Sequence, residues 1–161
     1  MLRLATIGVY GFDVESYVEC LLRAGVRLLL DVRQRRGVRG PEYCWANSRR
    51  LQAVLADAGI DYEHRVELAP TTELRHLQYA EDARLGVGKR SRQVLADEYV
   101  RRYTGEILDG VDLGRIVSAL PSAGTTALFC VERDAEACHR SLIAQRLVEE
   151  HHAVVEHLRP L

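Results

Sequence analysis

The chain has almost no lysine. Of its 22 basic residues, Lys89 is the single lysine and the rest are arginines. A GC-rich coding sequence would give the same bias, so arginine abundance does not by itself argue for phosphate recognition; position has to. Net charge is equally scarce: 23 acidic residues against 22 basic ones leave −1 at pH 7, with a pI of about 6.6. The molecule as a whole is therefore not a polycation, and any hold on nucleic acid or phosphate must come from a local patch. The four cysteines (Cys20, Cys44, Cys130 and Cys138) contain no CxxC pair, and their spacing is not the disulfide framework of a small secreted domain. The opening "MLRLATIGVYG" has an apolar run too short for a signal peptide, and no stretch approaches the length of a membrane span. A cytoplasmic protein with reduced thiols, no membrane partner and no cofactor is the expectation.

What is present is a foldable chain. With 161 residues, 47% hydrophobic and 28% charged, it can bury one sizeable core and is too short for two ordinary domains. Leu4 to Val9 reads as a strand, and "FDVESYVECLLRAG" as a helix capped by Asp13 and closed by Gly25. "VRLLLDV" is a continuous apolar run, as expected of a strand covered on both faces. "RQRRGVRGPEYCWANSRR" lacks periodicity and reads as a loop; "SRRLQAVLADAG" returns to helix and "IDYEHRVEL" to strand. Residues 70–120 carry helical stretches around Leu74–Arg84, Arg92–Leu108 and Leu113–Leu120. A fourth strand over Thr125–Val131, a helix to about His151 and a short last strand in "AVVEHL" complete the chain. This alternation predicts a single-domain α/β fold over residues 1–161. Its sheet is parallel and Rossmann-like, with helices on both faces and a helical insertion before the fourth strand. The Thr125 strand is expected beside the Leu4 strand. Ligands of such sheets bind beyond the strands' carboxyl ends, which directs attention to Gly8–Tyr10, Asp31–Arg39, His64–Glu67 and Cys130–Arg140.

The last of these rim segments, "LFCVERDAEACHR", ends with Cys138, His139 and Arg140 in a row. If Asp134 caps the following helix, Cys138 closes its first turn; if the helix starts later, Cys138 stands at its mouth. Either way the positive helix end, His139 and Arg140 favour thiolate over thiol. The plainer reading is a small buried side chain packing helix against sheet. A phosphatase or rhodanese-like Cys-x5-Arg loop is excluded, because the arginine position holds Glu136 or Ala144. A metal finds little support: consecutive helical residues point about 100° apart, so Cys138 and His139 should not meet at one ion, and Cys130 has no CxxC partner. No metal ligands are assigned. A reversible Cys130–Cys138 disulfide is geometrically feasible. His139 is a candidate base, or else faces the arginine-rich loop or caps a carbonyl. Arg140 would bind an anion or pair with Glu132 or Asp31.

A second constellation is "DVRQRRGVRG". Asp31 ends a buried strand and needs a partner, of which Arg33 is the nearest. Arg33, Arg35, Arg36 and Arg39 populate the loop, with Arg49 and Arg50 opening the next helix, where cations want an acidic neighbour or an anionic ligand. A solvated basic loop is the alternative. Tyr43 and Trp45 interleave with these arginines, and Tyr10 follows Gly8 at the same rim. The three rings suit stacking on a base, or simply a loop folded over a core.

"TIGVYGFDVESYVECLL", "LLLDVRQRR", "LADAGIDYEH" and "LFCVERDAEACHRSLIAQRL" resemble successive blocks of the domain-of-unknown-function 488 family. The Cys-x-Glu and Cys-His-Arg elements are the specific part. The resemblance implies a small bacterial or archaeal α/β protein, with proposals for the family leaning toward nucleic-acid-linked roles. The positions it carries over are Gly8, Asp31, Arg33, Cys130, Glu132, Cys138, His139 and Arg140. Val9-Tyr10 and Ala69-Pro70 depart from the family pattern, the first removing a candidate hydroxyl and the second a Gly-Gly turn.

Together these readings point to an enzyme acting on a phosphate-bearing substrate, a nucleotide or nucleic acid. Cys138, His139 and Asp31 are its candidate catalytic groups. Gly8, Tyr10, Arg33, Arg36, Cys130, Glu132 and Arg140 are the candidate substrate-binding groups. The rivals are a non-catalytic nucleic-acid or anion-binding module and a thiol redox switch.

Overall fold

Five parallel strands make one sheet in a computed structural model that describes residues 1–161. They are β1 (Arg3–Ile7), β2 (Val26–Asp31), β3 (Asp61–His64), β4 (Thr125–Phe129) and β5 (Val154–His157), arranged β3-β2-β4-β1-β5. The helices are α1 (Val14–Arg23), α2 (Ser48–Asp57), α3 (Thr72–Leu85), α4 (Asp97–Glu106), α5 (Leu113–Ser118) and α6 (Arg140–His151). The α/β parallel architecture is the expected one, with α3 to α5 as the helical insertion. No helix is long and apolar enough to cross a membrane.

Strand composition explains strand position. β4 is buried at every residue and β2 at all but Arg27, as a central parallel strand covered on both faces requires. β3 ("DYEH") and β5 ("VVEH") carry charges and partly exposed positions, which suits the two edges. β4 lies beside β1 as anticipated, in register from Leu4↔Thr126 to Ile7↔Phe129. It also pairs with β2, from Leu28↔Thr126 to Asp31↔Phe129. The first two strands are therefore not neighbours: β4 separates them, and the crossover through α1 spans one strand position.

Several boundaries follow local chemistry that hydrophobic periodicity does not report. The third strand is shorter than "IDYEHRVEL", because a 3-10 turn takes Val66–Leu68. Helix α3 begins at Thr72, two residues before the Leu74 stretch, because Thr71 Oγ1 accepts a hydrogen bond from the Leu74 amide at 3.1 Å. The supposed loop after β2 contains a 3-10 helix over Pro41–Ala46 that buries Trp45 against Tyr17, with ring centroids 4.7 Å apart. α4 starts at Asp97 rather than Arg92, leaving Arg92 in the segment before it.

The topology creates a crevice. β2 connects onward to β3 on one side, while β4 connects to β5 on the other, so the chain diverges at the carboxyl ends of β2 and β4. Phe129 and Cys130, consecutive at the end of β4, look to opposite faces: Phe129 packs edge-on against Tyr17 of α1, and Cys130 lies near His139 at the start of α6. The β1 end locks onto this point, with the Val9 amide donating to the Val131 carbonyl at 2.8 Å. Gly8 makes that approach feasible, since a Cβ there would stand 1.9 Å from the Glu132 carbonyl oxygen. Gly8→Ala should therefore destabilise the fold by roughly 1–3 kcal/mol or more, read as a lower urea midpoint with unchanged slope. An unaltered midpoint would show that the β1 and β4 ends are not held this closely.

Candidate active site

Cys138 is not in a helix. The segment after β4 forms a single 3-10 turn over Ala135–Ala137, and Cys138 follows it in an extended conformation, φ −141° and ψ 147°. His139 then turns into the helical region, φ −61° and ψ −20°, and α6 begins at Arg140. Because the backbone changes conformation between them, the two side chains converge instead of splaying as consecutive helical residues would. His139 Nδ1 lies 3.7 Å from Cys138 Sγ and 3.9 Å from Cys130 Sγ. The two sulfurs and the ring nitrogen all fall within 4.8 Å of one another. The expected divergence of Cys138 and His139 does not occur.

The imidazole is oriented from its other side. Nε2 of His139 donates to the Val32 carbonyl at 2.8 Å, just beyond the end of β2. With that nitrogen engaged as donor, Nδ1 faces the thiols as the base. The arrangement has the geometry that a thiol nucleophile, a base and a third group fixing the base would need. Burial disfavours charge on Cys138, but the adjacent Cys130 thiol, the Arg140 guanidinium and His139 outweigh it and hold Cys138 well below the ordinary thiol range. Its proximity to Cys138, reinforced by burial, pushes Cys130 well up. For His139, burial pulls the pKa down, and the charge on Cys138 with the hydrogen bonds to Cys138 and Val32 more than reverses it. The favoured state is thus a Cys138 thiolate beside a protonated His139, with Cys130 a neutral thiol. Stability from the depressed Cys138 is present above the unfolded thiol value and is lost as pH falls through the folded one. Stability from the raised His139 is present below its unfolded value and is lost as pH rises through the folded one.

Two arginine networks brace the site. Arg33 is 2% exposed and spends its fork on Asp31, Nε to Oδ1 at 2.9 Å and Nη2 to Oδ2 at 2.8 Å, with Nη1 on the Ala46 carbonyl. Tyr62 also donates to Asp31, and the guanidinium sits 4.5 Å from the Phe129 ring centroid. Arg92 bridges Asp82 at 2.9 Å and Glu132 at 2.6 Å, and its Nε reaches the Ala137 carbonyl. The insertion is thereby tied to the segment that carries Cys138. Burial, then the charge on Cys138, raises the Glu132 carboxyl, with Lys89 and Arg92 offsetting part of the effect.

These elements surround a pocket of about 1050 Å³. Cys130, Cys138 and His139 line it, together with Tyr10, Arg33, Arg35, Arg39, Arg75, Lys89, Arg90, Arg92 and Glu132. Lys89, Arg35 and Arg39 make no ion pair and no side-chain hydrogen bond. At the rim Arg90 lies 5.2 Å from the ring centroids of both Tyr10 and Tyr43, which are 5.4 Å from each other.

The candidate residues thus separate by position. Cys138, His139, Cys130, Glu132, Tyr10 and Arg33 share the pocket wall. Asp31 is fully buried behind Arg33. Arg140 is also fully buried, and donates to the Glu132 carbonyl at 2.7 Å and the Arg133 carbonyl at 3.2 Å, so its guanidinium staples the loop and pairs with neither Glu132 carboxylate nor Asp31. Arg36 is exposed and outside the pocket lining, and Gly8 serves the close approach of β1 to β4. Lys89, Arg90 and Arg92 are the residues that sequence reasoning missed, since "GVGKRS" reads only as a spacer between helices and Arg92 as the first residue of the next helix. The signal available was the isolation of Lys89 in a chain otherwise basic by arginine.

Sheet, crevice and pocket define a Rossmann-like α/β protein with a thiol–imidazole centre at its switch point. The chain belongs to the family described as Domain of unknown function DUF488, whose model matches residues 13–147. No curated protein and no solved structure matches it.

Iodoacetamide should alkylate Cys138 with a pH midpoint well below that of free cysteine, and Cys130→Ala should move the midpoint upward by removing the neighbouring thiol. An identical profile in the variant would exclude Cys130 as a determinant. Asp31→Asn should cost about 3–5 kcal/mol in chemical denaturation, because it strands a buried guanidinium; a loss below about 1 kcal/mol would place the pair in solvent.

Proposed function

We propose that the protein is a thiolate-dependent enzyme acting on a phosphate-bearing small molecule, a nucleotide being the class that suits the pocket. The observation that carries this reading is that the buried Cys138–His139 pair lines a cavity where Lys89, Arg35 and Arg39 make no ion pair or side-chain hydrogen bond. Unpaired cations at a concave site are the complement of a phosphate, whereas the buried Arg33 is committed to Asp31 and the Ala46 carbonyl and Arg140 is turned to the Glu132 and Arg133 carbonyls, away from the pocket lining. A cavity of about 1050 Å³ suits a nucleotide-sized ligand better than a duplex, which favours this reading over a nucleic-acid-binding module. Tyr10 and Tyr43 at the rim offer ring faces for a base once Arg90 turns away toward the phosphate.

In the reaction, the Cys138 thiolate attacks an electrophilic centre of the bound substrate and forms a bond to it. The leaving group departs with the proton held on Nδ1 of His139. The neutral imidazole then takes a proton from water or an acceptor hydroxyl, whose oxygen attacks the same centre and releases Cys138 as thiolate. Asp31 acts through Arg33 on the geometry of the rim, and Cys130 supports the thiolate.

Nucleoside monophosphates should slow alkylation of Cys138 several-fold in the wild-type protein. Lys89→Gln should remove this protection while Cys138 still alkylates, and Cys138→Ser should abolish turnover found in a screen of phosphate esters and nucleotides. Absence of protection by any nucleotide at millimolar concentration, or full turnover by Cys138→Ser, would overturn the proposal. Protection without turnover would identify a binding module instead.

A further inference from the structure

We propose that Cys130 Sγ, Cys138 Sγ and His139 Nδ1 form a binding site for a thiophilic divalent ion, Zn²⁺, with one coordination position open to the pocket. The inference needs only these three atoms and their surroundings; an ion held there would occupy the sulfur and nitrogen that the proposed reaction uses, so metal-bound and metal-free protein are alternative states of one site.

Donor type and spacing agree with the ion. Bond lengths of about 2.3 Å to sulfur and about 2.0–2.1 Å to imidazole nitrogen, at tetrahedral angles, place sulfur and nitrogen roughly 3.5 Å apart around zinc. The two sulfur–nitrogen separations are 3.7 and 3.9 Å and all three atoms lie within 4.8 Å of one another, so the ligands close on an ion by shifts of at most about an ångström. Two thiolates neutralise the charge of the cation, which lets it enter a buried position without an uncompensated charge. Oxygen-preferring Mg²⁺ and Ca²⁺ are excluded by the same donor set.

The outer surroundings have the form that a ligating histidine requires. Its second nitrogen is held by the Val32 carbonyl at 2.8 Å, which fixes both tautomer and ring orientation. Independently, Glu132 lies in the same pocket wall, is 6% exposed, and has one carboxylate oxygen, Oε2, with no hydrogen-bond partner. A buried, unpartnered carboxylate oxygen is costly, and it is the kind of acceptor that an ion-bound water or a ligand donor would satisfy. Three protein ligands, a free position and an adjacent carboxylate make an open site rather than a closed structural one. No CxxC announces it, because the ligands come from the end of β4 and from the break before α6.

The test uses the reduced full-length protein and the metal alone. Titration against a chromophoric chelator should give one Zn²⁺ per chain, and Co²⁺ in its place should show sulfur-to-cobalt charge transfer with four-coordinate visible bands. Cys130→Ser and His139→Asn should each weaken binding by more than the roughly 10–100-fold that loss of an outer partner costs, with circular dichroism confirming that the fold is kept. Zn²⁺ should also block alkylation of Cys138, and a chelator should restore it. Failure of wild-type protein with a normally alkylating Cys138 to take up Zn²⁺, a cobalt spectrum without charge transfer, or undiminished binding in Cys130→Ser would each overturn the site. Nucleotide protection measured on metal-free protein reports on the proposed function separately, so failure of one leaves the other standing.

Discussion

The hydrogen bond from His139 Nε2 to the Val32 carbonyl spans the crevice between β2 and β4, and the rim is organised around it. It joins the strand that ends in the Asp31–Arg33 pair to the segment that carries both thiols. A carbonyl can only accept, so the bond assigns the imidazole's donor and leaves Nδ1 to the sulfurs. Neither partner could be moved alone. Val32 is positioned by its amide, which donates to the Phe129 carbonyl at 3.0 Å, and His139 by the staple that Arg140 makes across the Glu132 and Arg133 carbonyls. The geometry of one side chain is thus referred to backbone on both sides of the switch point.

Charge is distributed around this bond in two distinct ways. Three buried arginines are structural: Arg33 is neutralised by Asp31 and Arg92 by Asp82 and Glu132, while Arg140 meets only backbone carbonyls. Removing either acid leaves a desolvated cation, which is why such groups act as braces with little freedom to meet a ligand. The cations that remain available, Lys89, Arg35 and Arg39, come from loops rather than from strands or helices. Burial lowers the pKa of Lys89, and neighbouring negative groups, Glu132 foremost, more than restore it, so the ammonium stays charged at the pocket wall. The thiols and the imidazole sit on short segments clamped between β4 and α6, while longer loops supply the free charge.

Much of this was legible before any coordinates. Apolar runs in "LATIGV", "VRLLLDV" and "TTALFCV" marked the three central strands, and the rule for strand ends gathered Gly8–Tyr10, Asp31–Arg39 and Cys130–Arg140 at one rim. The pairing of Asp31 with Arg33 followed from the cost of a lone buried carboxylate. What escaped were features set by conformation at single residues. The extended backbone at Cys138 reverses the inference drawn from helical geometry, and no periodicity reports a one-residue break between a 3-10 turn and a helix. Arg92 and Lys89 escaped for a different reason: they enter from the insertion, and only tertiary contacts bring them to β4. The arginines of the loop were identified by type, yet burial sorted Arg33 and Arg36 into opposite environments that local sequence does not distinguish.

The position of β4 carries a consequence for how the chain assembles. β1 finds no hydrogen-bonding neighbour until residues past 124 have been made, because its partners are β4 and β5. During synthesis the first strand therefore waits for its sheet partners until β4 has been made, while β2 and β3 are already able to pair. Closure of the sheet is a late, long-range event of the kind that slows folding. A ribosome-bound chain that has not yet reached Thr125 would hold neither a completed sheet nor the sulfurs at the rim.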